Sequence, residues 1–298
     1  MGIVTRAKIS GSLVLPLVVL GSMLMTRPVF AQMDLSGTWN PQYLEDVDER
    51  IPGPALVDYL GIPINAQARQ WALSWDPDRL GLPEHQCQVH TAAYIYRGPL
   101  ALRIWEERDP QTQDLIAIRQ YTSTYEQNRT IYMDGRPHPP EYAAHTWMGF
   151  STGEWQGTVL KVYTTHLKQG WHRRNGVPMS AKATMTEYFF RHGNVLTQMT
   201  ITEDPVFLTE PLVKTTNLLL NPNAGPNQYQ AWLFCQADDE VPGRDPAWVP
   251  HFLPGKNPFL TEFAAKHHLP VEPTRGGAAT AYPEYAKSMK APAQGTRP

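Results

Sequence analysis

Two segments of the chain alternate apolar and polar residues on either side of a glycine-containing reversal. The first is "WMGFSTGEWQGTVLKVYTTH", Trp147 to His166, and the second is "TMTEYFFRHGNVLTQMTITED", Thr184 to Asp204. Period-two alternation sends successive side chains to opposite faces of a strand. A Gly in a two-residue loop supplies the positive φ that a tight hairpin needs. The pattern therefore predicts one hairpin turning at Gln156-Gly157 and another at Gly193-Asn194. Shorter β-rich runs precede them. "LRIWEE" and "DLIAIRQY" flank the Asp-Pro turn of "RDPQTQ", and "STYEQNRTIYMDG" continues in the same style with Gln127-Asn128 as a turn candidate. "LSGTWNPQY", from Leu35, and "QYQAWLFCQ", ending at Gln236, read as further strands.

Helical signals are few. Asn65 is placed to cap a short helix running towards Trp75, and Asn257-Pro258 to open another that Pro270 stops. Strands without regularly interleaved helices exclude a parallel α/β fold. The expected fold is all-β and mainly antiparallel: a barrel-like domain, lipocalin- or calycin-like, over 32–237. A Pro/Gly-rich extension with one short helix and a disordered tail follows over 238–298.

A two-residue loop fixes register. In the first hairpin Trp155 is expected opposite Thr158, Gly153 opposite Leu160, Ser151 opposite Val162, Gly149 opposite Thr164 and Trp147 opposite His166, all on one face. Gly149, Ser151 and Gly153 would leave a nearly bare strip between two indoles. Glycine inside a strand marks a close approach by something else. A neighbouring large side chain or a ligand can fill that strip. In the second hairpin Glu187 is expected opposite Thr200 with Gln198 diagonal, a polar group among apolar ones.

The proline-rich connection "YMDGRPHPPEYAAHTW" precedes the glycine strip and carries Asp134, Arg136, His138 and His145. These groups are expected at the rim of an aromatic-lined cavity. The candidate ligand-binding set is Trp147, Ser151, Trp155, His166, Arg136 and His145. General acid–base chemistry would draw on His138, His166, Asp134 or Glu187. Local readings compete: Arg136 can pair with Asp134 across the Asp134-Gly135 turn, Glu106 and Glu107 with Arg103 or Arg108, and Asp204 before Pro205 can cap a strand end. The ten histidines show no H-x-H or H-E-x-x-H spacing, and no G-x-S-x-G elbow or dinucleotide fingerprint occurs, so no metal or cofactor is expected.

The N-terminus changes the cellular picture. Arg6 and Lys8 precede an apolar run from Leu13 to Met25, and Val29 and Ala31 match a small-residue cleavage site. This predicts an export signal over 1–31, cut after Ala31, and a periplasmic or secreted chain that does not span the membrane. The full chain has 26 basic and 28 acidic residues; losing Arg6, Lys8 and Arg27 leaves 23 against 28, a net charge of −5. That mild acidity excludes a nucleic-acid partner. Cys87 and Cys235 are the only cysteines, and in an oxidising compartment they can form one bridge.

Gly37 and Trp39 in "LSGTW" resemble the Gly-x-Trp opening strand of lipocalin-like barrels. "RTIYMDGRPHP", "TWMGFSTGEWQG", "TTHLKQGWHRRNGVP", "TMTEYFFRHGNVL", "TEDPVFLTEP" and "NPFLTEFAAKHHLPVEPTRGG" together resemble a large family of exported Gram-negative proteins, most of them uncharacterised. The family's hairpin loop commonly reads Trp-Glu-Gly-Asp, whereas Trp155-Gln156-Gly157-Thr158 here lacks both acids. The resemblance implies export and a β-barrel and brings no activity with it. The reading that follows is a binder of a small, partly apolar or aromatic molecule. The alternatives are a lyase, isomerase or hydrolase using His138 or His166 as base, and a cell-envelope interaction module presenting the C-terminal extension.

Overall fold

The computed structural model describes residues 2, 33–42, 53–99, 101–224 and 242–289. The expected signal segment, the strand at "QYQAWLFCQ", Cys235 and the end of the tail lie outside the described residues. The strands are β1 (Gly37–Pro41), β2 (Leu102–Arg108), β3 (Leu115–Thr122), β4 (Gln127–Tyr132), β5 (Phe150–Gln156), β6 (Val159–Thr165), β7 (Gly170–Arg173), β8 (Val177–Met179), β9 (Thr184–His192), β10 (Val195–Glu203) and β11 (Leu212–Leu220). β7 and β8 form a separate ribbon. The other nine close into a barrel in the order β1-β11-β10-β9-β6-β5-β4-β3-β2. The expected all-β barrel is the fold, with helices confined to short pieces.

Eight joints of the ring are antiparallel and one, β4 to β5, is parallel. Strand direction must return to its starting sense on going round a closed ring, so the number of reversals is even. A nine-stranded ring therefore needs a parallel joint. Parallel neighbours need a long crossover rather than a tight turn. The Pro-rich connection from Met133 to Gly149 is that crossover. Its prolines restrict the unfolded chain and so reduce the entropy lost on ordering a long connection.

The second hairpin has the expected register: His192 pairs with Val195 and Glu187 with Thr200. The first differs by one position. Gln156 pairs with Val159, so the loop is Gly157-Thr158 and Trp155 faces Leu160. Gly157, at φ +65°, opens the loop instead of closing it. Each partner moves by two residues, and the expected faces survive. The expected turn at Gln127-Asn128 is instead the start of β4. The chain reverses just before it, where Tyr125 and Glu126 take positive φ without being glycine.

The first helix spans Ala66–Leu73, and Asn65 Oδ1 accepts from the Ala68 amide at 2.9 Å, the expected cap. The second begins later than expected, at Glu262. Asn257 instead closes a local turn on the Phe259 amide and donates to Leu73 O at 2.9 Å. That contact ties the C-terminal segment to the first helix. Tyr59 N donates to Thr274 O and Gly277 N to Ile62 O. A satellite apolar cluster that includes Tyr59, Ile64, Ala68, Phe207 and Leu212 lies there, beside the main core.

The barrel core holds Trp39, Ile104, Ile118, Ile131, Leu160, Val162, Met185, Phe189 and Leu196. Through it runs a buried ion pair. Arg129 on β4 grips Glu187 on β9 with both terminal nitrogens, Nη1 at 3.1 Å to Oε1 and Nη2 to Oε2. Between β4 and β9 in the ring stand β5 and β6, whose Ser151 and Thr164 hydroxyls take Nε at 3.1 Å and Nη2 at 2.7 Å. Tyr96 Oη accepts from Nη1 at 2.8 Å and donates to Gln120 on β3, and Gln198 on β10 donates to Glu187 at 2.6 Å. Burial alone would lower the Arg129 pKa, but the Glu187 charge and its hydrogen bonds raise it above its ordinary value. Burial pushes the Tyr96 hydroxyl up to about 12.

Removing one partner of such a pair strands the other as an uncompensated buried charge. Arg129→Met or Glu187→Leu is therefore expected to cost about 3–5 kcal/mol in urea unfolding. The double replacement should cost clearly less than the two added together. Additive losses would mean that the two charges do not act on each other.

Candidate functional site

The glycine strip is occupied. A side chain at Gly153 would run into Met133 Sδ at 2.6 Å and Ile131 Cγ2 at 2.9 Å. One at Gly149 would run into Thr165 O at 2.5 Å and Thr164 Cγ2 at 2.7 Å. Core atoms thus fill the place proposed for a ligand floor, which is the neighbouring-side-chain reading of that motif. Ser151 is fully buried, with its Oγ held by Arg129 and Thr164 at 3.1 and 2.9 Å. Glu187 is fully buried in the same network. Neither is open to a ligand. Trp147 and Trp155 pack at the margin of the core, and Lys168 Nζ lies 5.2 Å from the centre of the Trp147 ring.

Asp134 and Arg136 also leave the expected rim. Both are exposed and bound to each other, Arg136 Nε lying 2.9 Å from each Asp134 oxygen, with the guanidinium over the Tyr132 ring. The Arg136 hydrogen bond is the chief cause holding the Asp134 carboxyl below its ordinary range. Asp204 serves as the strand-end anchor. It accepts from Ser180, from the Val206 and Phe207 amides and from His172. Burial would raise it, but the bonds from His172 and Ser180 bring its pKa down to about 2. Glu106 pairs with Arg108, while Glu107 pairs with Arg119 on the neighbouring strand.

The three histidines do converge, on the outer face of the barrel instead of inside it. His166 would have continued the inward face of β6. Its left-handed φ of +58° breaks the strand and cancels the expected pairing with Trp147. A non-glycine residue held there carries strain that the surroundings must offset. Hydrogen bonds do so here: His166 Nε2 lies 2.9 Å from Pro140 O and Nδ1 lies 2.7 Å from Thr165 Oγ1. His138 reaches down from the crossover between the rings of Phe150 and Tyr163, each 5.1 Å away. Its Nδ1 meets Thr165 Oγ1 at 2.7 Å and its Nε2 meets Thr152 Oγ1 at 2.9 Å. His145 stands 5.2 Å from His166, ring to ring, with Nδ1 2.8 Å from Leu167 O.

These contacts fix the tautomers. Pro140 O only accepts, so His166 carries its proton on Nε2 and offers a bare Nδ1. Thr165 has one hydroxyl proton and donates it there. Its oxygen then accepts from His138 Nδ1–H, and His138 Nε2 accepts from Thr152. By the same logic Leu167 O holds the proton on His145 Nδ1 and leaves Nε2 as a lone pair. His138 and His166 therefore spend both nitrogens on fixed partners, and His145 alone keeps one available.

Together they line a cleft of about 630 Å³ under the crossover, with Glu141 and Lys182 adding charge at its walls. Among the described residues no group of three or more His, Cys, Asp or Glu is arranged to hold a metal ion. Burial, then the neighbouring His166, lowers the His138 pKa.

Sequence reading missed Arg129, Gln120 and Tyr96 in the core, and Lys182 and Thr165 at the cleft. Arg129 shares parity with Ile131 in "NRTIY", a signal that it points inward. Nothing comparable marks the left-handed turn at His166.

Nitrogen-15 spectra at neutral pH should show His138 as the Nδ1–H tautomer and His166 as Nε2–H. As pH falls below about 6.5 the unfolded chain takes up a proton that folded His138 refuses, so stability should fall through that window. Thr165→Val should remove the tautomer preference of His138; its persistence would break the proposed chain. No protein-family model, no curated protein and no solved structure matches this chain, so its fold and its cleft stand on its own residues alone.

Proposed function

We propose that this is an exported barrel protein that binds a small, partly apolar molecule in the cleft beneath the crossover. One observation carries the reading: the cleft collects three imidazoles and leaves a single ring nitrogen, His145 Nε2, to receive a hydrogen bond. Its size lies within the ordinary range for ligand pockets. Pro139, Pro205 and Ala183 give it apolar walls, and Lys182 supplies a donor. Its rigid parts are strands and prolines, so a ligand would meet a preformed surface.

Export is supported by the charged, then apolar, then small-residue N-terminal pattern. It is supported also by Cys87, which is buried and disulfide-bonded, a state that persists in oxidising compartments.

A second reading is enzymatic and rests on His145. A base needs a free nitrogen and a partner that orients the ring. Leu167 O orients His145, whereas both nitrogens of His138 and His166 are already engaged. The base role in a lyase, isomerase or hydrolase thus passes to His145.

Ligand-observed NMR with a small-molecule library should yield binders that shift the His145 ring protons, and His145→Ala or Thr184→Phe should abolish them. Binders indifferent to both variants would remove the cleft from consideration. Expression of the full chain in a Gram-negative host should deliver a periplasmic protein beginning at Gln32 by mass spectrometry. A cytosolic chain that keeps Leu13–Met25 would end the export proposal.

A further inference from the structure

The cleft does not stop at the crossover. A second cavity of about 540 Å³ adjoins it, and the two share Lys182, Thr184 and Pro205 as lining. The second lobe is walled by Tyr163, Leu208, Glu203 and Glu210. Tyr163 is 41 % exposed and presents its ring to the groove. Asp204 also borders this lobe, but its oxygens are turned to His172 and Ser180.

Charge is distributed unevenly along this trough. Glu141 stands in the first lobe, Glu203 and Glu210 in the second, and Lys182 at the waist. None of the four has an ion-pair partner among the described residues. Among the described residues Glu210 accepts only the Tyr282 hydroxyl, at 2.9 and 3.1 Å. Three carboxylates against one ammonium make a concave surface of negative potential that concentrates cations. The exposed Tyr163 ring beside Glu203 and Glu210 suits an ammonium further.

We propose that the two lobes form one trough that takes the amino-terminal end of a short peptide. This rests on the reading of the cleft as a binding site. The peptide ammonium lies between Glu203 and Glu210 against Tyr163. A backbone carbonyl accepts from Lys182 Nζ at the waist. A backbone N–H beyond it donates to His145 Nε2. A linear polyamine meets the carboxylates equally well but sets a second cation against Lys182. A simple carboxylic acid satisfies Lys182 and leaves the second lobe unmatched.

The test titrates the full-length exported protein with trialanine, N-acetyltrialanine and spermidine, followed by amide NMR shifts. Trialanine should move the signals of Lys182, Thr184 and Glu203. N-acetylation, which removes the ammonium, should weaken binding by about tenfold or more. Glu203→Gln combined with Glu210→Gln should bring the two peptides to within about twofold of each other, because the carboxylates that read the ammonium are gone. Equal binding of both peptides to the unaltered protein, or tighter binding of spermidine than of trialanine, would overturn the assignment. If other molecules shift His145 and trialanine does not, the peptide assignment fails while the binding cleft stands. If nothing reaches His145, both fail.

Discussion

A ring of nine strands cannot be closed by reversals alone, and most of what is distinctive here follows from that count. One joint must be parallel, and it falls between β4 and β5. A parallel joint forbids a tight turn, so the chain leaves the barrel at Met133 and returns at Gly149. The detour carries His138 and His145 over the outer wall of β5 and β6. There it meets Thr152, Thr165 and His166, and the cleft is the space left beneath it. Topology thus comes before chemistry: the polar residues gather where the chain was obliged to cross.

Inside the wall a second constraint operates. Arg129 and Glu187 join strands three places apart in the ring, and hydroxyls or amides from strands between and beside them satisfy their remaining bonds. Apolar residues of similar volume would fill the same space without a desolvation cost. What the pair adds is direction. A strand slipped by one residue would face Glu187 outward and strand Arg129 in the core. A closed ring held this way selects one register among several that hydrophobicity alone would tolerate. The cost is that the lumen is committed to structure, so any ligand must be received outside it.

How far these features can be read in the sequence depends on the range of the interaction that fixes them. Alternation around Gly157 and Gly193 made the hairpins legible, including the pairing of Glu187 with Thr200, because register there is set by a few adjacent residues. The barrel followed from strands without helices. The loop at Gly157-Thr158 was misread by one position, since both choices place glycine within the turn. The partner of Glu187 was not legible. Arg129 is distant in sequence, and only ring closure brings the two together. His166 was assigned to the face of Trp147 because alternation assumes extended backbone, and one left-handed residue cancels that assumption. Asp134 and Arg136, by contrast, form the local pair that their spacing allowed.

The parallel joint is brief: Ile131 with Ser151 and Tyr132 with Thr152 are its only paired positions. Neighbouring joints run much longer, so this seam has the fewest backbone pairs in the ring, and inside it Arg129 on β4 reaches Ser151 on β5. The crossover that leaves β4 is tied down just beyond it, where His138 holds Thr152 on β5 and Thr165 on β6 from outside. A molecule lodged against that imidazole would pin the crossover, and with it the end of β4, to the strands on the far side of the seam. Occupancy of the outer groove and integrity of the whole cylinder would then be two readings of a single equilibrium.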